Sequence, residues 1–174
     1  MGTLIHRGIS MRGRAYVFGD NIDTDQIYPG RYLHLVKPEE IKEHVLENAD
    51  PTFSRRFQPG GIVVAGRNFG CGSSREHAAI TLKEAGVAAV LAESFGRIFF
   101  RNAINLGLPL MIVKGIRDKV KEGDEIEVDL ESGVVTLPDG CKIQGEPLSQ
   151  YILNLIRHGG IKNLYKSGYR PKPE

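Results

Sequence analysis

"IVVAGRNFGCGSSREHAAITLKEAGVAAVLA", residues 62–92, reads in order as a strand, a glycine-rich loop, a helix and a second strand. Ile62–Ala65 is a short apolar run of strand length, and residues 87–92 form another. Between them, good helix formers continue to Ala85 and stop at Gly86. Ser73 stands three residues before Glu76, the spacing of a capping box, so the helix is expected to open there, with Ser73, Ser74 and Arg75 on its first turn. Two buried strands joined by a helix make a parallel unit with a right-handed crossover.

The same pattern continues on both sides. Residues 96–106 form a second helix stopped by Gly107, and residues 108–113 a third strand. Upstream, residues 14–18 read as a strand that runs into the turn-prone Gly19-Asp20-Asn21. The stretch "GDNIDTDQIYPGRYL", residues 19–33, is a polar loop with three aspartates, a composition that serves turns and caps as readily as function. Residues 38–49 begin with proline, carry acids in the first turn and place Ile41, Val45 and Leu46 on one face, which predicts a single amphipathic helix. Beyond Gly115 the period changes to two: residues 125–130 and 134–137 flank Glu131-Ser132-Gly133 as a hairpin. Residues 147–157 form a short helix, and 166–174, with two prolines, a loose tail. The whole is one α/β domain over residues 1–174.

Composition narrows the function. With 41% hydrophobic residues, 25% charged residues and a net charge of +2, the chain is neither disordered nor electrostatically suited to nucleic acid. Cys71 and Cys141 are too few for a disulfide scaffold, a four-cysteine zinc site or an iron–sulfur cluster held by this chain alone. The five histidines lack metal-ligand spacing. The longest apolar run, residues 87–92, is too short to span a membrane, and the first ten residues lack a signal-peptide core, so a cytoplasmic location is expected.

The glycine loop fails the common templates. A Walker loop counted from Gly66 requires glycine and lysine where Cys71 and Gly72 stand. A dinucleotide fingerprint from Gly70 requires glycine at Arg75, and a nucleophile elbow on Ser74 requires it at Glu76. A phosphatase-type loop from Cys71 requires arginine at His77. A helix N-terminus with two hydroxyls and a guanidinium suits a carboxylate, which arginine grips with parallel hydrogen bonds. The same residues also read as an ordinary cap, with Arg75 and His77 in solvent. Cys71 reads as a buried inert thiol, and a reactive thiol near a helix terminus is the alternative.

"GDNIDTDQIYPGRYL" followed by "GRNFGCGSSREHAAITLKEAGVAAVLAESFGRIFFRNAINLGLPLM" resembles the small subunits of 3-isopropylmalate dehydratase, in the aconitase superfamily, over nearly the whole chain. The resemblance implies an α/β fold of the swivelling β/β/α kind. It implies a large-subunit partner that carries a [4Fe–4S] cluster, and a reversible dehydration and rehydration of a malate-type acid in leucine biosynthesis. It places the general base on Ser73, substrate contacts on Ser74 and Arg75, and a further site residue on Asp25. Substrate choice falls to the loop that holds Tyr32, Leu33, His34, Leu35 and Val36, whose apolar residues suit an isopropyl group. His34 and Lys37 keep a homoaconitase or a broad malate-type hydro-lyase open, and the bland reading of the loop is a surface turn. A non-catalytic carboxylate-binding module and a stand-alone thiol enzyme are the readings from other classes. Self-association of the isolated subunit, the complex's stoichiometry and the role of the 125–137 hairpin stay open.

Overall fold

The computed structural model describes residues 9–73 and 75–168. Among them, seven strands form one sheet: β1 (Ser10–Val17), β2 (Ile62–Ala65), β3 (Ala89–Ala92), β4 (Leu110–Ile112), β5 (Glu125–Asp129), β6 (Val134–Thr136) and β7 (Lys142–Gln144), in the order β4-β3-β2-β1-β5-β6-β7. Strand β1 joins two kinds of pairing. Its first half runs antiparallel to β5, with Ser10 opposite Asp129 and Arg14 opposite Glu125. Its second half runs parallel to β2, from Ala15 opposite Ile62 to Val17 opposite Val64. The change falls between Arg14 and Ala15, just beyond Gly13, where a Cβ would lie 2.3 Å from the Gly60 carbonyl oxygen, so only glycine fits the close approach.

The parallel part is covered on both faces, which is why its strands read as unbroken apolar runs. Val63, Ala65, Val90 and Ala92 point into one core cluster, and Ile62, Val64, Ala89 and Leu91 into the other. Among the described residues, eight helices follow in chain order: α1 (Thr24–Ile27), α2 (Pro38–Ile41), α3 (Phe53–Arg56), α4 (Glu76–Ala85), α5 (Arg97–Asn105), α6 (Ile116–Lys119), α7 (Gln150–His158) and α8 (Ile161–Lys166). Helix α4 buries Ala78, Ala79, Thr81 and Leu82, and Gly86 ends it in the left-handed conformation at φ 93°.

Three expectations change. The helix foreseen over 38–49 is broken: α2 stops at Ile41, a 3₁₀ turn follows over Lys42–His44, and Leu46 adopts φ 52°. Ile41, Val45 and Leu46 are all buried as predicted, but the Leu46 N–H donates to the Ile27 carbonyl at 2.7 Å, a tertiary bond that a continuous helix would forbid. Helix α4 opens at Glu76 rather than Ser73, and its N-cap is Arg75, which makes no side-chain cap bond. Finally, β1 starts four residues before Arg14, α1 forms within the stretch read as a loop, and α3, α6, α8 and β7 were not foreseen. The tail beyond residue 168 lies outside the described residues. Among the described residues, no helix is long and apolar enough to cross a membrane.

Candidate active site

Strands β1 and β2 are adjacent and parallel, so the loops leaving their carboxyl ends emerge at one edge of the sheet, where open α/β sheets bind ligands. The two loops extend the ladder beyond the strands. Gly66 N–H donates to Gly19 O at 3.1 Å, Asn21 N–H to Arg67 O at 2.7 Å, Gly70 N–H to Ile22 O at 2.7 Å and Thr24 N–H to Cys71 O at 2.9 Å. Asn21 and Asn68 both take left-handed backbone, at φ 56° and 57°, and Asn68 Nδ2 donates to Asn21 Oδ1 at 3.1 Å. The glycine run has a steric cause: Gly70 sits at φ 82°, and a Cβ there would lie 2.3 Å from the Phe99 ring.

This zipper brings the acidic "TDQI" segment to the "SSR" triplet. Asp23 caps α1 with a capping box: its Oδ1 accepts from Gln26 N–H at 2.8 Å, and its own N–H donates to Gln26 Oε1 at 3.0 Å. That turn buries Thr24 and Ile27 and exposes Asp25. Arg75 Nη1 donates to Asp25 Oδ1 at 2.8 Å and to Tyr28 O at 3.4 Å. Asp25 Oδ1 also accepts from Gly30 N–H at 2.9 Å, and Oδ2 from Asn48 Nδ2 at 3.1 Å. The Arg75 hydrogen bond, then that of Gly30, holds the Asp25 carboxyl below the ordinary aspartate range. Arg75 Nη2 makes no hydrogen bond to any described residue, which leaves a guanidinium edge for an anion.

The Ser73 hydroxyl does not cap α4. It is exposed, and Thr24 Oγ1 lies 3.1 Å from its Oγ. Ser74 lies outside the described residues. Asp25 and Arg75 are paired, and Ser73 lies at the same edge against Thr24. Cys71 is half-buried rather than buried, and its carbonyl serves the zipper. Cys141 is exposed, and its thiol is pushed up by the Asp139 carboxylate, which disfavours a thiolate.

The expected specificity loop begins at this ion pair: a Cβ on Gly30 would lie 3.1 Å from Arg75 Nη2. Two side chains hold the loop by its backbone. Tyr28 Oη donates to Tyr32 O at 2.6 Å, and the His77 imidazole Nε2 pairs with Leu35 O at 3.0 Å. His77 also stacks on Tyr28 at 5.2 Å, and Tyr32 stacks on His44 at 3.5 Å. Burial pushes the Tyr28 phenol up, which keeps it a donor. His34 is exposed, and so are Leu33 and Val36, at 39% and 80%. The loop is thus a pinned turn with an apolar tip. Sequence reading missed Thr24, Asn48, Tyr28 and His77 as parts of the site; only Thr24 had a signal, as the neighbour of Asp25 in a capped turn.

The site is an open edge. A cleft of about 450 Å³ lies elsewhere, lined by Glu76, Lys83, Asn105 and Lys162 among others, and Lys83 Nζ bridges it to Leu106 O at 2.6 Å and Gly159 O at 3.1 Å.

An arginine–aspartate pair and an exposed hydroxyl thus meet at the carboxyl ends of two parallel strands of an open α/β sheet. Residues 46–115 match the model of the aconitase C-terminal domain. The chain is 53% identical to the 3-isopropylmalate dehydratase small subunit 1 of Methanopyrus kandleri, over 90% of this chain and 92% of the relative. It is 50% identical to the methanogen homoaconitase small subunit of Methanothermobacter thermautotrophicus, over 89% and 90%. The crystal structure of 3-isopropylmalate dehydratase (leuD) from Methanocaldococcus jannaschii superposes with a TM-score of 0.86 at 41% identity, covering 91% of this chain and 95% of that one. The chain belongs to the family of 3-isopropylmalate dehydratase small subunits, in the aconitase superfamily.

Proposed function

We propose that this chain, joined to a large subunit, interconverts 2-isopropylmalate and 3-isopropylmalate by dehydration and rehydration, the hydro-lyase step of leucine biosynthesis, in the cytoplasm. The observation that carries this reading is the meeting of Ser73, Arg75 and Asp25 on one exposed edge. Ser73 acts as the general base. Its alkoxide takes the carbon-bound proton, the electron pair of that bond forms the double bond, and hydroxide leaves the adjacent carbon, for which the large subunit's cluster would supply the Lewis acid; rehydration then adds hydroxyl to the carbon that lost the proton and a proton to the carbon that lost the hydroxyl. Arg75 grips a substrate carboxylate through its open guanidinium edge, and Asp25, held by Asn48 and the Gly30 N–H, keeps that guanidinium in place. Ser74 contacts substrate on the resemblance alone.

Exposure of the site supports a partner. Proton abstraction from carbon requires a water-excluded pocket, and this edge is open, so a second surface has to close over it. On the resemblance, the donors for the [4Fe–4S] cluster are assigned to the large subunit. Domain closure over that subunit is the movement a swivelling fold supplies.

Tyr32, Leu33, His34, Leu35 and Val36 choose the substrate, and the exposed Leu33 and Val36 favour an isopropyl group over a further carboxylate. A homoaconitase activity is the second reading, because a homoaconitase small subunit matches this chain at 50% identity. Assaying the reconstituted complex with isopropylmaleate and with the homoaconitate-series alkene separates the two. Turnover of the isopropyl substrate supports the first reading, and turnover of the longer tricarboxylate alone supports the second.

A further inference from the structure

Two threonines are buried in the described core, Thr24 at 2% exposure and Thr81 at 0%. A buried hydroxyl needs a partner, and the two solve this differently. Thr81 Oγ1 donates to the Ile41 carbonyl at 2.9 Å, an ordinary structural bond. Thr24 Oγ1 has one hydrogen-bond partner among the described residues, the exposed Ser73 Oγ at 3.1 Å. The backbone fixes this meeting from both sides. Thr24 N–H donates to Cys71 O at 2.9 Å, Asp23 and Cys71 form a parallel bridge, and Gly72, at φ 102°, turns the chain so that Ser73 faces Thr24.

We infer that Thr24 is a positioning residue for the reaction: its buried hydroxyl donates to Ser73 Oγ, orients it toward the exposed edge and stabilises its alkoxide form. The inference rests on the reading of Ser73 as base. In the resting hydroxyl form either oxygen can be the donor. Once Ser73 is ionised it can only accept, and the Thr24 proton is then held against a full negative charge, where a hydrogen bond is strongest. Burial of the donor strengthens the effect, because water does not compete for the Thr24 hydroxyl. When the alkoxide takes the substrate proton it becomes a neutral hydroxyl and the bond weakens; Thr24 itself gains and loses nothing.

The test uses the reconstituted complex with the large subunit and follows kcat against pH for the wild type, Thr24→Val, Thr24→Ser and Ser73→Ala. Valine keeps the shape of threonine and removes the donor. The expected result is a fall in kcat on the order of 10- to 100-fold near neutral pH and an ascending limb displaced to higher pH by about one to two units. KM is expected to change little, and Thr24→Ser is expected to restore most of the rate and the position of the limb. Thr24→Ala, which places no methyl against the loop, takes the place of valine if Thr24→Val fails to assemble. An unmoved limb in the donor-less variants, or a loss that serine does not rescue, overturns the inference and makes Thr24 a packing residue. Ser73→Ala separates the two layers: full turnover in that variant shows that the reading of Ser73 as base has failed, whatever Thr24 does.

Discussion

Arg75 and Asp25 are fifty residues apart, yet they share a hydrogen bond of 2.8 Å, and the chemistry of the site starts from that pair. Replacing Arg75 with lysine keeps a positive charge but loses the planar fork, so KM is predicted to rise on the order of 10-fold or more in steady-state kinetics of the complex. Asp25→Asn removes the charge that holds the guanidinium. The Asp25 carboxyl is depressed by Arg75 and Gly30, so its folded value lies below the unfolded value of about 3.9. Its contribution is therefore present above about pH 4 and is lost as pH falls through the folded value. The carboxylate is about half exposed, so screening keeps the effect small. Urea midpoints are predicted to favour the wild type over Asp25→Asn above about pH 4, and the difference is predicted to close in acid. Asp25, Ser73 and Arg75 were legible through a resemblance spread over two sequence blocks. Asn48 was not, because only the break after Ile41 brings it to Asp25, and no local pattern announces a tertiary bond such as Leu46 N–H to Ile27 O.

Among the elements, the glycine loop and the loop of residues 30–36 carry the most specific expectations. Gly70→Ala combines a positive φ with a Cβ 2.3 Å from the Phe99 ring, whereas Gly123→Ala meets a positive φ with open space around it. The first is predicted to cost at least about 2–3 kcal/mol and the second about 1 kcal/mol, read as a larger fall in melting temperature for Gly70→Ala. His77→Ala and Tyr28→Phe each cut one of the bonds that hold the 32–35 backbone, so they are predicted to raise KM more than they lower kcat and to hasten proteolysis within residues 33–36. Helix α4 and strands β2 and β3 were legible because they bury both sheet faces or one helix face, and the pattern says so. The start of β1 and strand β7 were hidden by charge. Arg12 and Arg14 alternate on an exposed face of the central strand β1, as Lys142 and Gln144 do on β7 at the edge of the sheet, and Arg12 pairs across the strands with Glu125 at 3.9 Å and Glu127 at 3.5 Å. The cap at Ser73 was misread because Thr24, forty-nine residues away, engages the hydroxyl that the local spacing assigns to the helix.

At the scale of the whole molecule, a continuous sheet with β1 at its centre holds the site loops on a rigid frame and leaves the reactive edge uncovered. The frame holds loops of unremarkable composition next to one another, and the open edge supports the proposal that a partner completes the site. Hydration activity is accordingly predicted to be undetectable for the isolated chain. The most direct test is anaerobic reconstitution with the large subunit, followed by the rate of isopropylmaleate hydration for the wild type and Ser73→Ala. The account predicts turnover only in the complex, and a kcat lowered by at least about 10³-fold in the variant. Full turnover by Ser73→Ala, or a complex that hydrates no malate-type alkene, would contradict it.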